Sequence, residues 1–164
     1  GGNDKRVLRL ELEDLLRDIL QQRRPLGAWI AVAPDRAAEP LPYLLAAAVC
    51  FWIAGADILY ACEDFEFDRK KLLHSIPAKL GIPAAFRISA FSHVVAVLAL
   101  GAAAYWGGLG GWFYGGLGGI ALLLVYEHRI VRPNDLRRVN QAFFHCNAAV
   151  GAVFLAASLL DLFL

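Results

Sequence analysis

The sequence predicts an all-α, polytopic membrane bundle of about four full transmembrane helices behind an amphipathic N-terminal helix. Three observations carry this. Of the 164 residues, 59% are hydrophobic, against about half in an ordinary soluble domain, and mean hydropathy is +0.51. The excess is gathered into blocks: 43–62, with Asp57 as its one charge, and 88–106, 107–126 and 139–160, with no Asp, Glu, Lys or Arg. Each block approaches the roughly 20 residues that cross about 30 Å of hydrocarbon. Alternate loops are basic. Arg69, Lys70, Lys71, Lys79 and Arg87 follow the first block and Arg129, Arg132, Arg137 and Arg138 the third, whereas "WGGLGGW" between the second and third has no charge. Both basic loops are therefore expected in the cytoplasm.

The first 24 residues read as a charged amphipathic segment distinct from 25–164. In "DKRVLRLELEDLLRDILQQRR", Leu8, Leu12, Leu15, Leu16, Ile19 and Leu20 recur at helical spacing opposite a charged face. The apolar part of "RRPLGAWIAVAP" is too short to span a bilayer and reads like the end of a membrane helix. Gly107, Gly111, Gly115 and Gly119, spaced by four in the third block, predict a face that lets another helix approach closely in lipid. Before the last block, Pro133 disfavours helix at Arg132, and Asn134 or Asp135 is placed to cap the next helix. Cys50, Cys62 and Cys146 show no CxxC spacing and support neither a disulfide framework nor a zinc site.

The candidate chemistry lies at the end of the first block, in "DILYACEDFEFDRKK". On one continuous helix at about 100° per residue, Asp57, Asp64 and Asp68 share a face, with Tyr60 to one side and Glu63 and Glu66 opposite. Like charges on one face repel unless a cation or basic group sits among them. Mg²⁺ is commonly held by one or two carboxylates together with phosphate oxygens and water, which suits Asp64 and Asp68. Arg69, Lys70 and Lys79 are placed to neutralise a departing diphosphate. The plain alternative is a solvated terminus, its acids paired with Arg69, Lys70 and Lys71. Acids at a helix C-terminus oppose the macrodipole, which favours the functional reading.

At these residues the chain resembles the second Asp-rich motif of the UbiA superfamily of intramembrane prenyltransferases. The skeleton D-x-x-Y-x-x-x-D-x-x-x-D falls on Asp57, Tyr60, Asp64 and Asp68, followed by Ser75, Ile76, Pro77 and Gly81. "YEHRIVRPNDLRRVNQAFFHCN" looks like the last cytoplasmic loop and final helix of the branch that includes the 4-hydroxybenzoate polyprenyltransferases and related menaquinone-pathway enzymes. The resemblance implies that residues 25–164 form the C-terminal half of a nine-helix fold around a membrane cavity. It implies an integral protein of the bacterial inner membrane with cytoplasmic active-site loops. It also implies Mg²⁺-dependent transfer from a polyprenyl diphosphate to an aromatic acceptor such as 4-hydroxybenzoate, in ubiquinone or menaquinone biosynthesis. By analogy Asp64 and Asp68 hold Mg²⁺, Asp57 and Tyr60 line the cavity, and Arg69, Lys70 and Lys79 contact the diphosphate.

The first motif of that family, N-D-x-x-D-x-x-x-D, is not found in the chain. The expectation is a truncated piece with weak or no turnover alone. The alternative is a non-catalytic membrane fragment or assembly subunit, packing through its Gly111-to-Gly119 face. His74 and His128 are expected in loops near the cavity mouth, and His93 and His145 as packing residues within helices. The basic residues flank membrane blocks, which gives a nucleic-acid role no support. A CDP-alcohol phosphotransferase would require a D-G-x-x-A-R lead-in, which the sequence lacks.

Overall fold

The computed structural model describes residues 24–164. Its seven α-helices are α1 (Arg24–Val32), α2 (Pro40–Ala61), α3 (Phe65–Lys71), α4 (Ile76–Leu80), α5 (Ile82–Gly107), α6 (Gly111–Ile130) and α7 (Val139–Phe163), with a 3₁₀ turn at Pro34–Arg36. The amphipathic segment expected over residues 1–24 lies, but for Arg24, outside the described residues. The all-α membrane bundle is as the sequence predicts. By length and composition α2, α5 and α7 are able to cross a membrane. The remaining long helix, α6, has 20 residues, but its glycines and its terminal Glu127, His128 and Arg129 lower its apolarity. Burial separates this bundle from a soluble one. Of the most apolar window, only 22% of α2 and 17% of α7 is buried inside the protein, so most of these apolar faces point outward.

Local chemistry sets the helix ends. Ser75 caps α4, its Oγ accepting from the Ala78 N–H at 3.3 Å, and Pro77 sits in the first turn, where a missing N–H costs nothing. Gly81, at φ 83°, turns the chain directly from α4 into α5. This left-handed conformation is strained for residues with a Cβ. At the other end of the bundle, Asp161 near the end of α7 receives the Gly110 N–H at 2.7 Å and the Phe113 N–H at 3.2 Å. A side chain of the last helix thereby caps α6 and satisfies two of its orphan donors.

α2 packs chiefly along α5, and α6 along α7. Leu59, Cys62, Ala85, Phe86, Val131, Val139 and Ala142 form one buried cluster near the basic loops, and Ile120, Leu124 and Val150 another farther along the bundle. The glycine ladder needs correcting. Gly107 closes α5, so the four glycines do not share a helix, and a Cβ at Gly111 or Gly115 would meet open space. The close approach is at Gly116, where a Cβ would overlap the Ala157 Cβ of α7, and Gly119 lies in ordinary contact with Val153. The packing face is thus offset from the predicted ladder and used within the chain.

Candidate functional site

The acid motif does not run along one helix. α2 stops at Ala61, and the Cys62 and Glu63 N–H groups bond back three residues to Leu59 and Tyr60, at 3.1 and 3.0 Å. This tighter winding ends the α-helical register, and α3 starts a new helix at Phe65 with Asp64 at its N-cap position. The predicted common face is therefore broken between Asp57 and the other two aspartates. Charge explains the break. As a separate helix, FEFDRKK carries Glu66 and Asp68 in its first turn and Arg69, Lys70 and Lys71 in its last, the order that complements a helix dipole. The acids oppose the dipole of a single long helix but suit the start of α3, so the dipole argument for function lapses.

Asp57, Tyr60 and Asp64 are exposed, whereas Asp68 is 9% exposed. Asp64 and Asp68 remain one turn apart, joined by the Asp68 N–H to the Asp64 carbonyl at 2.8 Å. The Tyr60 ring lies against Phe143 of α7, centroids 4.7 Å apart, and Phe143 meets Phe144 at 5.3 Å. The Arg69 guanidinium sits 5.4 Å over the Phe65 ring, while Lys70 and Lys79 are exposed. α3 and α4 pack on each other, so Lys79 is carried on the element next to the acids. α3 ends at Leu72 in a left-handed conformation, φ 54°, and the Leu73 N–H returns to the Asp68 carbonyl at 2.8 Å, a Schellman closure.

Among the described residues no group of three or more His, Cys, Asp or Glu has a metal-holding arrangement. Two carboxylates one turn apart nonetheless fit Mg²⁺, which takes few protein ligands and fills its octahedron with water and phosphate oxygens.

A second polar group lies inside the bundle. Glu127 is 1% exposed and neither carboxylate oxygen has a hydrogen-bond partner among the described residues. His93 Nδ1, on α5, lies 3.1 Å from His128 Nε2 and 3.7 Å from Glu127 Oε2. Gly55 of α2 makes room for the His93 ring, since a Cβ there would overlap it, and the Gly55 carbonyl accepts from Ser89 Oγ at 2.6 Å. His128, expected in a loop, is therefore a helical residue tied to His93. His145 is on α7 as expected, but exposed, its Nδ1 2.8 Å from the Gln141 carbonyl. His74 is exposed in the loop before α4. Sequence reasoning passed over Glu127. The available signal was an acid directly after an uncharged block, comparable to Asp57 within its own apolar block.

The model of the UbiA prenyltransferase family matches residues 24–156. The chain is 34% identical over 127 residues to a 4-hydroxybenzoate octaprenyltransferase of Aeromonas salmonicida (strain A449), covering 77% of this chain and 44% of that protein. It is 31% identical over 123 residues to the 4-hydroxybenzoate octaprenyltransferase of Aromatoleum aromaticum (74% and 40%). For that of Nitrosomonas europaea the identity is 32% over 124 residues (74% and 41%). The chain thus spans less than half the length of these relatives. No solved structure matches it.

Proposed function

This chain belongs to the UbiA prenyltransferase family, and we propose that it carries one acidic half of a site that transfers a polyprenyl group from its diphosphate to an aromatic acceptor such as 4-hydroxybenzoate. The observation behind this is the pairing of Asp64 with Asp68 one turn apart, beside Arg69, Lys70 and Lys79, at the basic end of a membrane bundle. In the proposed reaction the allylic C–O bond breaks and its electron pair leaves on the diphosphate. A ring carbon of the acceptor attacks the allylic cation, and the ring then loses its proton to the released diphosphate. Arg69, Lys70 and Lys79 offset the charge that grows on the departing diphosphate. Tyr60, exposed and packed against Phe143, is the aromatic group assigned to the cation in this reading, and Asp57 lies near the end of α2. Mg²⁺, where bound, supplies charge neutralisation of the diphosphate oxygens, with Asp64 and Asp68 as its protein ligands. The reading places both basic loops in the cytoplasm of a bacterial cell, with the chain in the inner membrane and the product entering ubiquinone or menaquinone synthesis.

The test is binding of a polyprenyl diphosphate to the purified chain with and without Mg²⁺, followed by product formation on 4-hydroxybenzoate. Asp64→Ala and Asp68→Ala are each expected to weaken Mg²⁺-dependent binding by at least about tenfold, the loss of one charge-assisted ligand. Mg²⁺-dependent binding that survives both substitutions would remove the site assignment.

A further inference from the structure

The loop between α6 and α7 is a built turn. Val131 and Val139 anchor its two ends in the core, each 1% exposed, and Leu136 packs against the same cluster. Between them, Arg132 and Asp135 form an antiparallel bridge, with the Asp135 N–H to the Arg132 carbonyl at 2.9 Å. Asp135 is fully engaged. It accepts from Arg137 Nε and Nη2 at 2.8 Å each and from the Arg137 N–H at 3.3 Å. The Arg137 guanidinium holds its carboxyl well below the usual carboxylate range.

One acid thus neutralises one arginine. Arg129, Arg132 and Arg138 form no ion pair among the described residues, although the charge of Arg138 also helps hold the Asp135 carboxyl down. With Asn134 and the Asp135–Arg137 pair they line a hollow of about 820 Å³, so that four arginines and one acid face it. A cluster of unneutralised guanidiniums on a fixed turn is suited to a phosphate, which accepts paired N–H donors. The acid motif lies on the other basic loop and does not use these residues.

We propose that this hollow binds the phosphate of an anionic phospholipid, held by Arg129, Arg132 and Arg138. Two features favour a lipid over a free phosphate or diphosphate. The turn joins α6 to a membrane-crossing helix, and outward-facing Leu122, Val125 and Tyr126 of α6 and Phe144 of α7 lie next to it along the chain, a surface for acyl chains below the head group. In addition, the turn has no carboxylate left to hold the divalent cation that accompanies a diphosphate. The proposal needs only membrane embedding and stands apart from the prenyl-transfer reading.

The experiment uses the purified chain in detergent, with phosphatidylglycerol and phosphatidylcholine as the two probes, and reads bound lipid by native mass spectrometry. Phosphatidylglycerol is expected to bind more tightly. Arg132→Gln with Arg138→Gln is expected to weaken it about thirtyfold, and either change alone about fivefold, the size expected of surface arginines near anionic lipid. Lys71→Gln with Arg87→Gln, which removes two exposed charges elsewhere, is expected to change binding less than about twofold on the same scale. Three results would overturn the proposal: unchanged phosphatidylglycerol binding in the arginine variants, an equal loss in the Lys71/Arg87 control, or displacement of the lipid by millimolar inorganic phosphate or magnesium diphosphate.

Discussion

For single residues, position within a helix matters more than identity. Asp64 and Asp68 are both acids of one motif, yet one is exposed and the other nearly buried, because the chain tightens at Cys62 and Glu63 and restarts at Phe65. Glu127 carries the heavier burden. A carboxylate buried without hydrogen bonds loses its hydration and gets no bond in return. Glu127→Gln keeps the shape and removes the ionisable group, and is expected to raise the thermal unfolding midpoint of the detergent-solubilised protein. A lowered midpoint, with a loss of stability of more than about 1 kcal/mol, the net worth of an ordinary hydrogen bond, would show that the carboxylate itself orders His93 and His128. Nothing in the periodicity of residues 107–126 announced this contact. It requires α5 and α6 to be side by side.

Among the helices, α6 is decided by which of its glycines meets a neighbour. Glycines spaced by four show that some face is thin, but not which face is covered. In the bundle it is Gly116 that lies against Ala157, whereas Gly115 faces open space. Gly116→Ala is therefore expected to cost about 1–3 kcal/mol through overpacking. Gly115→Ala is expected to be neutral or to stabilise by up to about 1 kcal/mol through helix propensity. Chemical-denaturant midpoints of the two variants check the register, and an equal cost for both would return the packing face to the predicted ladder. The split between α2 and α3 is also a matter of helices. It was legible in the order of charges, acids before bases in FEFDRKK, once the macrodipole is applied to a short helix rather than a long one.

Across the bundle, apolar helices with outward-facing surfaces and alternating basic loops make one topology. In a background lacking Cys50, Cys62 and Cys146, a cysteine at Lys71 or Arg137 is expected to react with an impermeant thiol reagent from the cytoplasmic side, and one at Leu109 from the opposite side. Labelling of all three positions from one side would reject the topology. The helical class, the membrane blocks and the acid skeleton were all readable from the residue order, because hydropathy, charge order and motif spacing are properties of neighbours along a chain. The folded bundle was needed to learn that Glu127 meets His93, that Gly116 meets Ala157, that Asp161 caps α6, and that the end of α6 and the turn at 131–138 gather Arg129, Arg132 and Arg138 around one hollow. Most of those contacts join residues far apart in the chain, and their partners are set by how the helices lie against one another, for which one-dimensional periodicity holds no register.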